Sequence, residues 1–182
     1  MATNYDEVYK GSRNALGVPT KEFVQFFESY EKQRAQVLDL GCGQGRDALF
    51  IARLGHCVTG VDQSPAGIRD LLEDANSEGL EIDGVIADIC SYTPDRSFDV
   101  AVIDRTLHML DAADRMSVLR RLLMHLSEKA VVLIADERSN LPAFADVFQN
   151  SDYRWSLLLS KRGFLFLRRE GAKTGRKSGG LE

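Results

Sequence analysis

The sequence predicts an α/β fold, an open and mostly parallel sheet with helices on both faces. Three observations predict it. Apolar runs of strand length alternate with amphipathic helical runs from residue 36 to residue 150, and that alternation demands right-handed crossovers between parallel strands. A glycine-rich turn, Gly41-Cys42-Gly43-Gln44-Gly45, joins the first strand directly to a helix. The chain then ends its regular part on two apolar runs separated by Lys161-Arg162-Gly163, which reads as a hairpin and hence a reversed last strand.

The elements follow in order. Residues 1–19 are polar and read as irregular, with Tyr5 and Tyr9 four apart and Gly11, Gly17 and Pro19 as breakers. Thr20 is placed to cap a helix to about Tyr30, with Phe23, Phe26 and Phe27 on one face. Strands fit residues 36–40, 57–61, 83–87, 98–103 and 130–135, and helices fit 46–54, 65–78 and 112–126, with a short one near 141–150. The hairpin pairs 155–160 with 164–168 across a turn of about three residues. Phe164, Leu165, Phe166 and Leu167 are apolar on both faces, which places that strand inside the sheet.

At 182 residues, 44% hydrophobic and 27% charged, the composition is that of one ordinary globular domain. We assign it residues 1–170, with 1–35 as an N-terminal cap segment and helix. Residues 171–182 read as a flexible tail whose last two residues, Leu181-Glu182, resemble a cloning remnant. A net charge of -4 provides no global basic field for nucleic acid. The basic run Lys161, Arg162, Arg168, Arg169, Lys173, Arg176 and Lys177 lies in a Gly/Ser-rich setting that suits a solvated tail. The apolar stretches are too short to cross a bilayer, and the N-terminus lacks a charged-then-apolar leader, so the expected setting is cytoplasmic. Cys42, Cys57 and Cys90, odd in number and widely spaced, read as reduced thiols with no metal site.

Function is written in residues 37–62. The strand Val37-Leu38-Asp39-Leu40 runs into the glycine turn, a helix starts at Arg46, and the next strand, Val58-Thr59-Gly60-Val61, ends on Asp62. Glycines let the backbone turn tightly beneath a ligand, and a helix start offers free N–H groups. Asp62, a turn residue on the bland reading, stands where a carboxylate accepts both hydroxyls of a ribose. Dinucleotide folds usually read G-x-G-x-x-G with a pyrophosphate on the helix. Here the glycines alternate and Asp39 precedes them, which repels a pyrophosphate and suits a cationic amino-acid group.

With this acid-x-Gly-x-Gly-x-Gly motif the chain resembles the class I S-adenosylmethionine-dependent methyltransferases. The wording from Asp39 to His56, then Val58-Thr59-Gly60-Val61-Asp62-Gln63-Ser64-Pro65, is similar to their small tellurite-resistance and thiopurine-methyltransferase-like branch. The resemblance covers roughly residues 5–169. It implies a Rossmann-like seven-stranded sheet of order 3-2-1-4-5-7-6 with the last strand antiparallel. It implies that Asp39, Gly41, Gly43 and Gly45, with Cys42 among them, hold the methionine end of S-adenosylmethionine. Asp62 then takes the ribose, Gln63 lies beside the adenine, Asp88 accepts from the adenine amine, and the Ile89 N–H reaches a ring nitrogen. Asp88 equally fits a loop cap. Arg46 either reaches the cofactor carboxylate or lies on a solvated helix face. Tyr5 and Tyr9 either close the substrate pocket or pack on a core face.

After the fourth strand, Asp104-Arg105-Thr106-Leu107-His108 faces the methyl group in that family. His108 and Asp104 are the candidate general bases, Asp104 also adjoining the cofactor, and Arg105 the candidate anchor of an anionic substrate. His108 also fits a residue packed under the loop. The Asn/Asp-Pro-Pro-aromatic motif of amino-methylating nucleic-acid enzymes is missing, and Cys90 lacks a Pro-Cys context. The short final turn also departs from the tellurite-type enzymes, whose longer connection carries polar active-site residues, and suggests a pocket closed by the N-terminal segment or by a second subunit. The expectation is therefore a small-molecule methyltransferase, monomer or homodimer, yielding S-adenosylhomocysteine. A macromolecule methyltransferase using the basic tail, or a non-catalytic cofactor-binding module, is the alternative, with a nicotinamide-binding protein further off.

Overall fold

The computed structural model describes residues 4–173. Seven strands form one sheet: β1 (Gln36–Leu40), β2 (Cys57–Asp62), β3 (Ile82–Ile86), β4 (Phe98–Asp104), β5 (Leu126–Ala135), β6 (Tyr153–Lys161) and β7 (Phe164–Ala172). Six α-helices accompany them: α1 (Tyr5–Gly11), α2 (Lys21–Glu28), α3 (Arg46–Arg53), α4 (Pro65–Glu78), α5 (Ala112–Leu123) and α6 (Leu141–Gln149). The strand order is β3-β2-β1-β4-β5-β7-β6, as the resemblance implies. Strands β1 to β5 pair in parallel, and β7 runs antiparallel to both β5 and β6.

Burial on both faces explains the continuous apolar runs of the central strands. One core layer joins Leu38, Ala101, Ile103, Val132 and Ile134 to α5 and α6 through Leu119, Leu122 and Phe144. The other joins Val37, Val100, Val102 and Val131 to α2, α3 and α4 through Phe23, Ile51 and Leu71. Strand β7 supplies Leu165 and Leu167 to the first layer and Phe166 to the second, as expected of an internal strand.

Four expectations are corrected. Residues 5–11 of the segment read as irregular form α1, whose Tyr9 is buried. Thr20 stands at the N-cap of α2 but its side chain makes no capping bond; its hydroxyl donates to Asp104 instead. The hairpin turn has two residues, Arg162 and Gly163 at φ 49° and 97°, because Lys161 pairs directly with Phe164; two left-handed residues suit the strands' twist. Gly171 and Ala172, placed in the tail, belong to β7, whereas residues 174–182 of that tail lie outside the described residues. Smaller shifts concern α5, which stops at Leu123, and β5, which starts at Leu126.

Candidate functional site

The turn after β1 is built from left-handed glycines, Gly41, Gly43 and Gly45 at φ 78°, 55° and 82°. Each also lies under a close neighbour. A Cβ on Gly41 would meet the Thr106 hydroxyl at 2.2 Å, one on Gly43 the Tyr9 hydroxyl at 2.4 Å, and one on Gly45 the Leu71 side chain at 2.2 Å. Asp62, at the end of β2, clamps the turn from the side. One of its carboxylate oxygens accepts from Gly43 N–H at 2.9 Å and the other from Ser64 N–H at 2.8 Å.

Beside the turn, at the carboxyl ends of β1, β2 and β4, lies a cavity of about 250 Å³. Its floor is acidic. Asp39, 3% exposed, faces it with no side-chain hydrogen bond among the described residues. Burial, reinforced by Asp47, raises the Asp39 carboxyl well above its ordinary value. Burial likewise raises Asp47 and Asp62 against their hydrogen bonds. Arg46 bridges Asp47, at 2.5 Å, to Asp104. Thr20 completes the network: its N–H donates to Asp47 at 3.0 Å and its hydroxyl to Asp104 at 2.6 Å. One Asp104 oxygen, Oδ1, is buried with no hydrogen-bond partner among the described residues.

The N-terminal segment covers the cavity. Asp6 on α1 accepts from Ser64 Oγ at 2.6 Å and Ala66 N–H at 3.1 Å, which docks α1 at the start of α4. Gln44 of the turn holds the following loop through the Ser12 carbonyl and Ala15 N–H, and Arg13 reaches Glu73 and Asp74. Tyr5, Tyr9 and Leu16 therefore line the cavity from above, while Met109 and Leu110 line it from the loop after β4.

Fold and cavity can now be set beside known proteins. A family profile described as "Methyltransferase domain" matches residues 37–129, more than half of the 182-residue chain. The chain belongs to that methyltransferase family. The probable S-adenosyl-L-methionine-dependent methyltransferase TehB of Haemophilus influenzae (strain 10810) is 32% identical over 90 residues, 50% of this chain and 32% of TehB. The 2-heptyl-1-hydroxyquinolin-4(1H)-one methyltransferase of Mycobacteroides abscessus is 33% identical over 94 residues, 51% of this chain and 41% of that protein. The matched stretch thus spans less than half the length of either relative. Among solved structures, TehB from Haemophilus influenzae shares the fold with a TM-score of 0.70 at 19% identity, over 93% of this chain and 67% of that one. The N-methyltransferase NodS of Bradyrhizobium japonicum WM9, in complex with S-adenosyl-L-homocysteine, does so with a TM-score of 0.70 at 13% identity, over 94% of this chain and 100% of that one.

In this methyltransferase domain most of the sequence-predicted site residues meet at the one cavity: Asp39, Gly41, Cys42, Arg46, Asp62, Gln63, Asp88, Ile89, Asp104, Arg105, Tyr5 and Tyr9. Gly43 and Gly45 shape the turn without lining the cavity. Arg46 is not on a solvated helix face: it lines the cavity, ion-paired to Asp47 and Asp104. Asp88 caps its loop, accepting from Cys90 N–H at 2.8 Å, and still lines the cavity. Tyr5 and Tyr9 stand 5.9 Å apart over the cavity. His108 is not among the lining residues; its backbone N–H donates to Asp136 and Nδ1 lies 3.9 Å from the same carboxylate, the arrangement of a residue packed under the loop. The sequence reading missed Thr20, Asp47, Leu16, Met109 and Leu110. For Asp47 a signal existed, because an acid beside Arg46 in the first turn of α3 is near the ligand side of the helix start.

Proposed function

We propose that this domain binds S-adenosylmethionine in the cavity and directs its methyl group to a small-molecule nucleophile. The observation that carries the reading is the charge of the site: Asp39, Asp47, Asp62 and Asp104 line one cavity with a single buried guanidinium, Arg46, which is ion-paired to Asp47 and Asp104, beside a turn whose three glycines leave its backbone bare. Such a site favours a ligand of net positive charge and disfavours a pyrophosphate. The residues fit the group. Asp39 and the Gly41–Cys42 backbone would hold its amino-acid end, Asp62 the ribose, and Gln63, Asp88 and Ile89 the adenine. The bound cofactor supplies a methyl carbon already activated by a sulfonium.

The chain's own contribution is to hold, align and dry. Tyr5, Tyr9 and Leu16 exclude water from above, and Met109 and Leu110 border the side from which an acceptor enters. Positioning of this kind supplies roughly 7–11 kcal/mol of a two-reactant barrier. Asp104 is retained as a group that touches the acceptor; His108 is given no chemical step. The reading includes one domain that runs to the end of β7 at Ala172, acting as a monomer or homodimer in the cytoplasm. No helix among the described residues is long and apolar enough to cross a membrane.

Calorimetric titration with S-adenosylmethionine, S-adenosylhomocysteine and NADH tests this. Micromolar binding of both adenosyl compounds and none of NADH is expected; binding of NADH alone, or of nothing, would refute it.

A further inference from the structure

We infer that the methyl acceptor is an amine, seated at the carboxylate of Asp104; the inference rests on the methyl-transfer reading above. The Asp104 side chain is 6% exposed at the end of β4. Its Oδ2 is fully engaged by Arg46 and by the Thr20 hydroxyl. Oδ1 has no partner among the described residues, and the nearest further cation, Arg105 Nε, stands 3.9 Å away. A buried carboxylate oxygen without a donor is rare in native structures and calls for an explanation. A ligand N–H supplies the missing donor.

The other cavity carboxylates do not compete for that role. Both oxygens of Asp62 accept backbone N–H groups, and both oxygens of Asp47 are taken by Thr20 and Arg46. Asp39, likewise without a side-chain hydrogen bond among the described residues, is assigned to the cofactor's amino-acid end in the reading above, and Asp88 accepts from Cys90 N–H. Around Asp104 the wall is apolar on one flank, through Met109 and Leu110, and cationic at the rim, through the largely exposed Arg105. The wall thus matches an apolar body carrying a charged nitrogen, with room for an acidic group at Arg105.

A hydroxyl would fill the hydrogen bond but leave the excess negative charge, and a thiol does neither well. The bound ammonium first passes a proton to Asp104 and on to solvent, which frees the nitrogen lone pair. The nitrogen–carbon bond then forms as the carbon–sulfur bond breaks, with the electron pair kept by sulfur.

The test titrates the protein saturated with S-adenosylhomocysteine against phenethylamine, phenylalanine, 2-phenylethanol and 2-phenylethanethiol, and measures methylation of the same four with S-adenosylmethionine. At least one amine should bind about tenfold more tightly than the alcohol and the thiol and be methylated at nitrogen. Asp104→Asn should weaken amine binding about 30-fold and S-adenosylhomocysteine binding less than about threefold, with Asp104→Glu restoring part of the loss. Equal or better binding of the alcohol or thiol overturns the inference, as does failure of both amines to bind. Equal loss of amine and S-adenosylhomocysteine affinity in Asp104→Asn also overturns it, because Asp104 would then serve the cofactor. Should that variant not fold, the ranking on the native protein and Asp104→Glu decide. A native protein that does not bind S-adenosylhomocysteine removes the methyltransferase reading itself and this inference with it.

Discussion

On the proposed reading, Asp39 is where folding and cofactor binding oppose each other most directly. Its carboxyl is raised well above 3.8, first by burial and then by Asp47. The folded chain therefore holds that proton more tightly than the unfolded chain. The resulting stability is full below 3.8 and declines as pH rises through the raised folded value. Asp39→Asn should raise the thermal midpoint at pH 8, by about 1 kcal/mol equivalent, and do little at pH 4. The same change should weaken S-adenosylmethionine binding, and a variant both less stable and unimpaired in binding would contradict this account. Asp62→Ala should lose at least about tenfold in affinity for both adenosyl compounds, read by calorimetry, since it removes a carboxylate and loosens the turn at Gly43. Gly43→Ala should displace Tyr9, seen as a change in tyrosine fluorescence, because the added methyl would meet its phenolic oxygen. At this scale the sequence exposed the glycines, Asp39 and Asp62 through their frame with the strands. It hid Thr20, because a hydroxyl before a helix reads as a cap whether it bonds the helix or, as here, a carboxylate from another strand.

Helix α1 shows how an element can escape sequence reading. Seven residues are too few to be helical alone, so α1 forms by docking, through Tyr9 over the turn and Asp6 on the start of α4. Its hydrogen bonds, first from Lys10 and then from Ser64, lower the Asp6 carboxyl from 3.8 to about 2. The docking that Asp6 provides is thus complete above 3.8 and fails as pH falls through about 2. Asp6→Asn should speed amide exchange across Tyr5–Gly11 at neutral pH while leaving the exchange of β1 and β4 unchanged. Equal acceleration of the central strands would show that Asp6 supports the whole fold rather than the cover. By contrast β4, β5 and β7 were legible, since strands apolar on both faces occur inside a covered sheet. The hairpin's length was harder to read: Lys161 looks like a turn residue and pairs as a strand residue.

The whole molecule is two core layers on one sheet, with the acidic cavity at the strands' carboxyl ends. Fully buried Phe144 ties α6 to the first layer, and Phe144→Ala should cost about 3–5 kcal/mol in denaturant unfolding without altering the cavity. At a fixed concentration, about 100 times its dissociation constant at pH 8, S-adenosylmethionine should add about 2.7 kcal/mol to stability at that pH. On the proposed binding mode that increment should grow from pH 5 to pH 8, because a cation held by Asp39 and Asp62 favours their ionised forms, which burial disfavours in the free site. The two-residue turn at Arg162 and Gly163 adjoins the same end of the sheet, where the Gly163 carbonyl accepts from Asp136 N–H just after β5. Lengthening a surface loop costs only about 0.6 kcal/mol per doubling. This scaffold can therefore accept a grafted loop of varied sequence between β6 and β7, at the end of the sheet that carries the cavity.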